Sequence, residues 1–143
     1  ALLYSAQGKY EAAEPLFLQA LEIHKISLPE NHPDIATDLC GLATLYREQG
    51  KYEAAEPLYL QAIKIHKISL PENHPSIATD LHNLAGLYSS QGKYETAEPL
   101  YLQAIEISIQ SLGKEHPKTQ TVLKNYQIFL NKKNESKQNQ DKY

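Results

Sequence analysis

Histidine and cysteine are the side chains of this sequence best suited to bind a metal or to act in catalysis. Three of the six histidines, His32, His74 and His116, each precede a proline, and they lie 42 residues apart. Equivalent positions in stacked helices are separated by about 10 Å per layer, which is too far for ligands that must lie ~2 Å from one zinc ion. We therefore expect these histidines to cap the helices that follow them, and the sequence predicts no metal site and no cofactor.

A catalytic role would require Cys40, the single cysteine, to meet a base such as His82. A cysteine nucleophile also needs a third group that orients the base and a site that stabilises an oxyanion. The sequence indicates neither of these, and it contains no glycine-rich phosphate-binding loop. We therefore predict that the chain is not an enzyme.

Composition and charge exclude several further classes of protein. The 143 residues are 41% hydrophobic and 22% charged, which fits one ordinary domain with a buried core. The formal charge of −3 argues against nucleic-acid binding, which usually requires a basic excess. The sequence shows neither a membrane-spanning apolar run nor a secretory leader, so we expect no membrane association and a cytoplasmic location. Because methionine is absent and the chain starts at Ala1, we also expect a piece of a longer or processed protein.

The elements that must position these residues repeat with a period of 42. The string Gln-Gly-Lys-Tyr-Glu occurs at 7–11, 49–53 and 91–95, and residues 8–39 differ from residues 50–81 at only four of 32 positions. Chance does not produce such identity, so the sequence predicts a tandem array.

Each unit is predicted to contain two helices. The first begins at Pro33, which suits the first helical position, and ends at Gly50, where a glycine permits a left-handed turn. The second runs from about Lys51 to Leu70 and contains Pro57 several residues past its start. An interior proline costs ~3 kcal/mol, so either this helix begins later or it bends there, and we expect a kink.

The spacing of small and aromatic residues resembles the tetratricopeptide repeat (TPR), with the pattern Leu39-x2-Leu42-Ala43-x2-Tyr46-x3-Gly50-x-Tyr52-x2-Ala55-x3-Tyr59-x2-Ala62. The 42-residue period is longer than the usual 34. Together with a His-Pro linker, the string Leu-Tyr-x2-Gln-Gly-Lys-Tyr-Glu-x-Ala-Glu-Pro-Leu resembles the kinesin-light-chain subtype over residues 1–131. This resemblance implies an all-α, right-handed superhelical solenoid of antiparallel helix pairs that binds a protein or peptide.

The repeat predicts the organisation of the chain. We expect a partial repeat at 1–32, full repeats at 33–74 and 75–116, a capping helix at 117–131 and a disordered polar tail at 132–143. In this alignment Gly8 takes the place of Gly50, so the chain would open in the last turns of a first helix. The following helix, 9–28, would then lack its full partner, and its exposed apolar surface would favour a homodimer through the truncated N-terminal repeat.

The positions at which the repeats disagree are the main functional signal. Segments 37–49 and 79–91 differ at five positions, which fall within an arc of about 120° when the helix turns by 100° per residue. The apolar framework residues fall on the opposite side. In the TPR family the first helix of each unit lines a concave groove, and the resemblance implies that this arc faces it. A solvated face without a ligand remains the alternative interpretation.

The candidate groove residues are short or polar. We predict that Asn83 and Asn125, which lie 42 positions apart, stack and hold the backbone of an extended peptide through their carboxamides. Arg47, Glu48, His82 and Lys124 would select the charge pattern of that peptide. The full candidate set is Cys40, Thr44, Arg47, Glu48, His82, Asn83, Ser89, Ser90, Lys124, Asn125 and Ile128. Two other functions stay open: a structural or self-associating array, and a regulatory segment of a larger enzyme or signalling protein.

Overall fold

The chain is all-α over the residues that the structure describes. The structure, a computed structural model, describes the backbone of residues 2–141 and the side chains of residues 8–141. Within that range the helices are α1 (Leu2–Ser27), α2 (Pro33–Glu48), α3 (Tyr52–Ser69), α4 (Pro75–Ser90), α5 (Tyr94–Leu112) and α6 (Pro117–Asp141). Two compact units divide the chain, unit 1 over Ala1–Glu72 and unit 2 over Asn73–Tyr143. The predicted all-α fold of paired helices is confirmed.

The His-Pro linkers start helices α2, α4 and α6 in the same way. The Nδ1 atom of His32 accepts a hydrogen bond of 3.1 Å from the backbone N–H of Asp34. His74 and His116 accept the equivalent bond two residues ahead, each at 3.1 Å. These bonds satisfy a backbone donor that the first turn of a helix leaves without a partner. The predicted capping role of the three histidines is confirmed.

Glycine ends the first helix of each unit, as predicted. Gly50 and Gly92 have φ values of 79° and 77°, in the left-handed region that glycine adopts without strain. In unit 1 the N–H of Lys51 then bonds to the carbonyl of Tyr46 at 2.8 Å, which closes the turn before α3.

Helix α1 does not turn at Gly8, contrary to the sequence expectation. It runs without interruption over Leu2–Ser27, and Gly8 is absent from the residues with positive φ. A continuous helix pairs the backbone donors and acceptors along its length.

The second helices continue through their interior prolines. Helix α3 begins at Tyr52 and contains Pro57, and α5 contains Pro99 in the equivalent place. The alternative prediction, that the second helix of each unit begins later, is therefore wrong. Pro57 is exposed, so water can hydrate the carbonyl that lacks a donor one turn earlier, which lowers the cost of the missing bond.

Each unit buries the framework that the sequence pattern predicts. In unit 1, α2 packs against α3 and less extensively against α1, and its residues Leu39 and Leu42 are buried. In unit 2, α5 packs against α4 and, less extensively, against α6. The ring of Phe129 from α6 is buried there and lies 4.9 Å from the ring of Tyr101, centroid to centroid. Such aromatic pairs contribute about 0.5–1.5 kcal/mol beyond the area they bury.

Helix α6 extends beyond the predicted cap. The sequence predicts a disordered segment at 132–143, but the structure continues the helix to Asp141, and residues 142 and 143 lie outside the described range. No glycine or proline follows Pro117 in the sequence, so no residue there breaks the helix. The Nζ atom of Lys133 also lies 3.0 Å from Oε1 of Glu98 on α5, which ties the extension to unit 2.

Candidate functional site

In unit 1 the candidate residues lie on one side of α2, here called the α2 surface: Cys40, Thr44, Arg47 and Glu48. Glu48 is exposed and the other three are half-buried. The Oγ1 atom of Thr44 is hydrogen-bonded to the hydroxyl of Tyr59 on α3 at 2.8 Å. Because the Tyr59 side chain is fully buried, this bond gives a partner to a hydroxyl that water does not reach.

The pKa of Tyr59 depends on residues of the α2 surface. Burial raises the pKa of Tyr59, since the charged phenolate would be poorly solvated. The hydrogen bond with Thr44, and the charge of Arg47 together with its hydrogen bond, lower the pKa by smaller amounts, so that it stays above its usual value. Residues that differ between the repeats therefore converge on an aromatic residue of the next helix, an arrangement that the sequence analysis missed. The available signal was the Phe17/Tyr59 difference, one of the four between the two compared segments.

Gly41 explains why unit 1 has no asparagine at the position equivalent to Asn83. A Cβ atom added at Gly41 would collide with the ring of Phe17 on α1. An asparagine side chain would need still more space at the same point. The ring of Phe17 thus excludes a carboxamide from this part of unit 1.

In unit 2 the candidate residues on α4 and α6 come together. His82, Asn83 and Asn125 are half-buried, and the side-chain nitrogen Nδ2 of Asn125 lies 2.9 Å from Nε2 of His82. The amide N–H donates to an unprotonated Nε2 in this arrangement, which leaves the proton of the neutral ring on Nδ1. Asn125 of α6 is therefore hydrogen-bonded to His82 of α4, the residue that directly precedes Asn83 in the sequence.

An aromatic cluster, defined as Tyr101, Tyr126 and Phe129, supports this pair. The ring of His82 lies 5.8 Å from that of Tyr101, and the rings of Tyr126 and Phe129 are stacked at 6.0 Å. The hydroxyl of Tyr126 donates to Oε2 of Glu98 at 3.2 Å. Burial, and then the hydrogen bond to Glu98, raises the pKa of Tyr126.

The remaining candidate residues of unit 2 differ in their exposure and in their hydrogen bonds. Ser89 is only 8% exposed, so it presents almost no surface, contrary to the expected role. Ser90 is exposed, but its hydroxyl donates to the carbonyl of Gly86 within its own helix at 3.0 Å. Lys124 is exposed, and Ile128 has 49% of its surface exposed. We define the unit 2 surface as His82, Asn83, Lys124, Asn125 and Ile128.

Among the residues that the structure describes, no three histidine, cysteine, aspartate or glutamate side chains are grouped so that they could hold a metal ion. No helix in the described range is both long and apolar enough to cross a bilayer.

Comparisons with known proteins give a consistent result. Tetratricopeptide-repeat profiles match residues 1–68 and 78–118. BtubC (BKLC) from P. vanneervenii is similar in structure, with a TM-score of 0.76 and 28% sequence identity over 89% of this chain. A Podosopora anserina protein described as a kinesin light chain with nearly identical TPR-like repeats gives a TM-score of 0.70 and 26% identity over 96% of this chain. A variant of that protein gives 0.73 and the same identity and coverage.

The chain spans only part of these relatives, covering 50% of the first and 65% of the other two. No curated protein sequence matches it. TPR repeats generally mediate protein–protein interactions and form a non-catalytic type of scaffold. The profile matches cover more than half of the residues, and the similar structures share the repeat type. The chain belongs to the tetratricopeptide repeat family, and its repeats are of the kinesin-light-chain type.

Proposed function

We propose that the chain is a cytoplasmic protein-interaction module and that its unit 2 surface binds an extended peptide segment of a partner protein. The observation that supports this most directly is the His82–Asn125 hydrogen bond beside the aromatic cluster. It holds polar side chains in defined positions at a surface, and preorganised groups lose less conformational entropy when a ligand binds.

The recognition chemistry follows from the side chains on this surface. Asn83 and Asn125 each carry a carboxamide that can donate to a peptide carbonyl and accept from a peptide N–H. Asn125 uses one N–H for His82, which leaves its carbonyl oxygen and its second N–H for the ligand. These two residues hold the peptide backbone.

The neighbouring side chains determine which peptide is preferred. Lys124 attracts an acidic residue, and the exposed part of Ile128 offers an apolar contact. The α2 surface of unit 1 carries charges of both signs, Arg47 and Glu48, and supplies a separate polar surface. Ser89 is left out of the proposed binding residues because it is buried.

A double substitution tests the role of the asparagines. Peptides selected from a library on the wild-type chain are measured against Asn83→Ala plus Asn125→Ala. Loss of two hydrogen bonds worth about 0.5–1.5 kcal/mol each predicts a roughly tenfold rise in Kd or more. Asn134→Ala, at an exposed position of α6 outside the unit 2 surface, is the control and should leave Kd unchanged. If every selected peptide binds the double variant as tightly as the wild type, the mechanism is wrong.

A second candidate function, self-association through α1, has its own supporting observation. Ile23 of α1 is 53% exposed, whereas its repeat equivalent Ile65 in α3 is 4% exposed. Leu16 is 67% exposed, whereas its equivalent Leu58 is partly buried against the core of unit 1. Apolar side chains that one repeat buries and another exposes favour a contact with a second copy of the chain.

Sedimentation velocity over a range of concentrations tests this second candidate. The wild type should show a concentration-dependent dimer, and Leu16→Ser plus Ile23→Ser should remain monomeric. Leu60→Ser, at an exposed leucine of α3, is the control and should dimerise like the wild type. A wild-type chain that stays monomeric up to several hundred micromolar excludes self-association through α1.

A further inference from the structure

A cavity of about 580 Å³ lies in unit 2 between the start of α5 and the extension of α6. Three lysines line it: Lys93 at the start of α5, and Lys133 and Lys137 on α6. None of them belongs to the unit 2 surface, so the cavity is separate from the proposed peptide site. The chain as a whole carries a formal charge of −3, whereas these three lysines concentrate positive charge at one cavity.

The lysines of α6 reach the cavity because they share one helical face. Lys133, Ser136, Lys137 and Gln140 follow the i, i+3, i+4, i+7 pattern, and all four line the cavity. The helices α2 and α4 end at Glu48 and Ser90, the repeat equivalents of residue 132. Only α6 continues past that point, so the lysine face is a feature of the C-terminal extension.

Acidic groups reduce the charge of the cavity without cancelling it. Glu98 pairs with Lys133 at 3.0 Å, and Glu95 also lines the cavity. Three lysines against these two glutamates leave one net positive charge. The ammonium group of Lys93 lies 5.8 Å from the centre of the Tyr88 ring, which limits its motion.

The start of α5, which lines this cavity, differs at one residue from the equivalent start of α3 in unit 1. Residues 50–63 and 92–105 are identical except for Ala54, which becomes Thr96. Thr96 lines the cavity, so the single substitution in this stretch adds a hydroxyl, a hydrogen-bond donor, to the cavity that the lysines also line. The matching segment of unit 1, Gly50-Lys51-Tyr52-Glu53, has the same helix start without that hydroxyl.

We propose that this cavity binds a phosphate group carried by a peptide segment of a partner protein. Ammonium groups interact more strongly with a doubly charged phosphate than with a singly charged carboxylate, and Thr96 and Ser136 donate hydrogen bonds to its oxygens. The cavity volume exceeds that of a phosphate ion, so it accommodates the attached side chain as well. This site does not depend on the function proposed for the unit 2 surface.

The test is an NMR titration of the ¹⁵N-labelled full chain with a short peptide that contains one phosphoserine. The same peptide without phosphate and inorganic phosphate are titrated in parallel at constant ionic strength. Amide shifts of residues 94–96 should saturate with the phosphopeptide and should not move with the unmodified peptide. The repeat provides an internal reference, since residues 52–54 begin α3 in the same way and should show a Kd at least about fivefold weaker.

Substitutions distinguish phosphopeptide binding by the lysines of the cavity from binding that any helix N-terminus would give. Lys93→Gln plus Lys137→Gln should weaken phosphopeptide binding at residues 94–96 at least fivefold. Glu95→Gln should strengthen it, because it removes the opposing charge. The matched control Lys51→Gln should leave binding at 94–96 unchanged.

Three results would overturn the proposal. One is an equal response at residues 52–54 and 94–96, which would reflect helix starts in general. Another is unchanged binding in the Lys93→Gln plus Lys137→Gln variant. The third is inorganic phosphate binding as tightly as the phosphopeptide, which would assign the cavity to free phosphate ions.

Discussion

At the scale of single residues, some positions that vary between the repeats contribute to packing inside a unit, and others are exposed at the surface. Thr44 contacts the buried Tyr59 of its own unit, and Gly41 leaves space for the half-buried ring of Phe17. Lys124 and Glu48 are exposed. Variation on the predicted arc therefore reflects packing inside a unit as well as exposure to a partner, and the two causes can be separated by mutation.

The hydrogen bond between Thr44 and Tyr59 predicts a specific loss of stability. Thr44→Val removes one hydrogen-bond partner of a fully buried hydroxyl, which should lower the free energy of unfolding by about 1 kcal/mol. In a Tyr59→Phe background the same substitution should cost much less, because the hydrogen bond to Thr44 is already absent. Urea denaturation of the four variants of this cycle gives the coupling energy. Equal costs in both backgrounds would show that the bond contributes nothing.

A pair of glycine substitutions measures the space that Phe17 occupies. Gly8→Ala places a methyl group where no atom lies within 4 Å, in a helix that favours alanine, so stability should rise by about 0.5–1 kcal/mol. Gly41→Ala drives its methyl group into the Phe17 ring, so stability should fall by about 1–3 kcal/mol. Thermal unfolding of both variants supplies the comparison. A gain at Gly41 equal to that at Gly8 would contradict the packing described here.

At the scale of helices, the His-Pro linkers act as repeated starting points. Each combines a proline at the first helical position with a histidine whose Nδ1 accepts from the backbone two residues ahead. The linker prolines belong to the first helices, and the interior prolines of the second helices lie where the backbone is near solvent. The same residue type thus has two roles, which its position within the helix distinguishes.

The cap at His74 can be tested by exchange of its side chain. His74→Ala leaves the N–H of Ser76 without the acceptor seen at 3.1 Å and should destabilise the chain by about 1 kcal/mol. His74→Asn supplies another acceptor that is common at helix starts and should lose at most a few tenths of a kcal/mol. Urea unfolding monitored by circular dichroism measures both. If the asparagine variant is as unstable as the alanine variant, the contribution of His74 lies elsewhere than in capping.

At the scale of the whole molecule, three tyrosines make stability depend on alkaline pH. Burial, the largest cause in each case, raises the pKa of Tyr46, Tyr59 and Tyr126. The hydrogen bonds to Glu14 and Glu98 raise the pKa of Tyr46 and Tyr126 further. The folded chain therefore keeps these phenols protonated at pH values at which the unfolded chain begins to lose their protons.

The sign of the effect follows from proton binding. Above a pH of about 10 the folded state binds more protons than the unfolded state, so the free energy of unfolding falls as pH rises. Below that pH the contribution of the three tyrosines is fully present. Urea unfolding at pH 8, 9.5 and 11 should show this decline, and Tyr59→Phe should make it shallower than in the wild type. An identical slope in the variant would show that Tyr59 does not contribute.

Much of the fold could be predicted from the sequence because its signals are local or repeated. The 42-residue period, the proline that starts each first helix and the glycine that ends it depend on residues a few positions apart. The apolar framework of α2, including Leu39 and Leu42, is buried because the helical period itself places it on one side. Each of these features needs only the geometry of one helix and one turn.

The sequence by itself determined the helix pairs, their caps and the identity of the polar residues available for binding. The tertiary structure alone decided that Thr44 meets Tyr59, that Phe17 fills the space beside Gly41, and that Asn125 bonds to His82. It also decided that α6 continues past residue 131 and brings its lysines to the start of α5. These contacts join side chains between 15 and 43 positions apart, and helical periodicity cannot specify which side chains meet once the helices have packed.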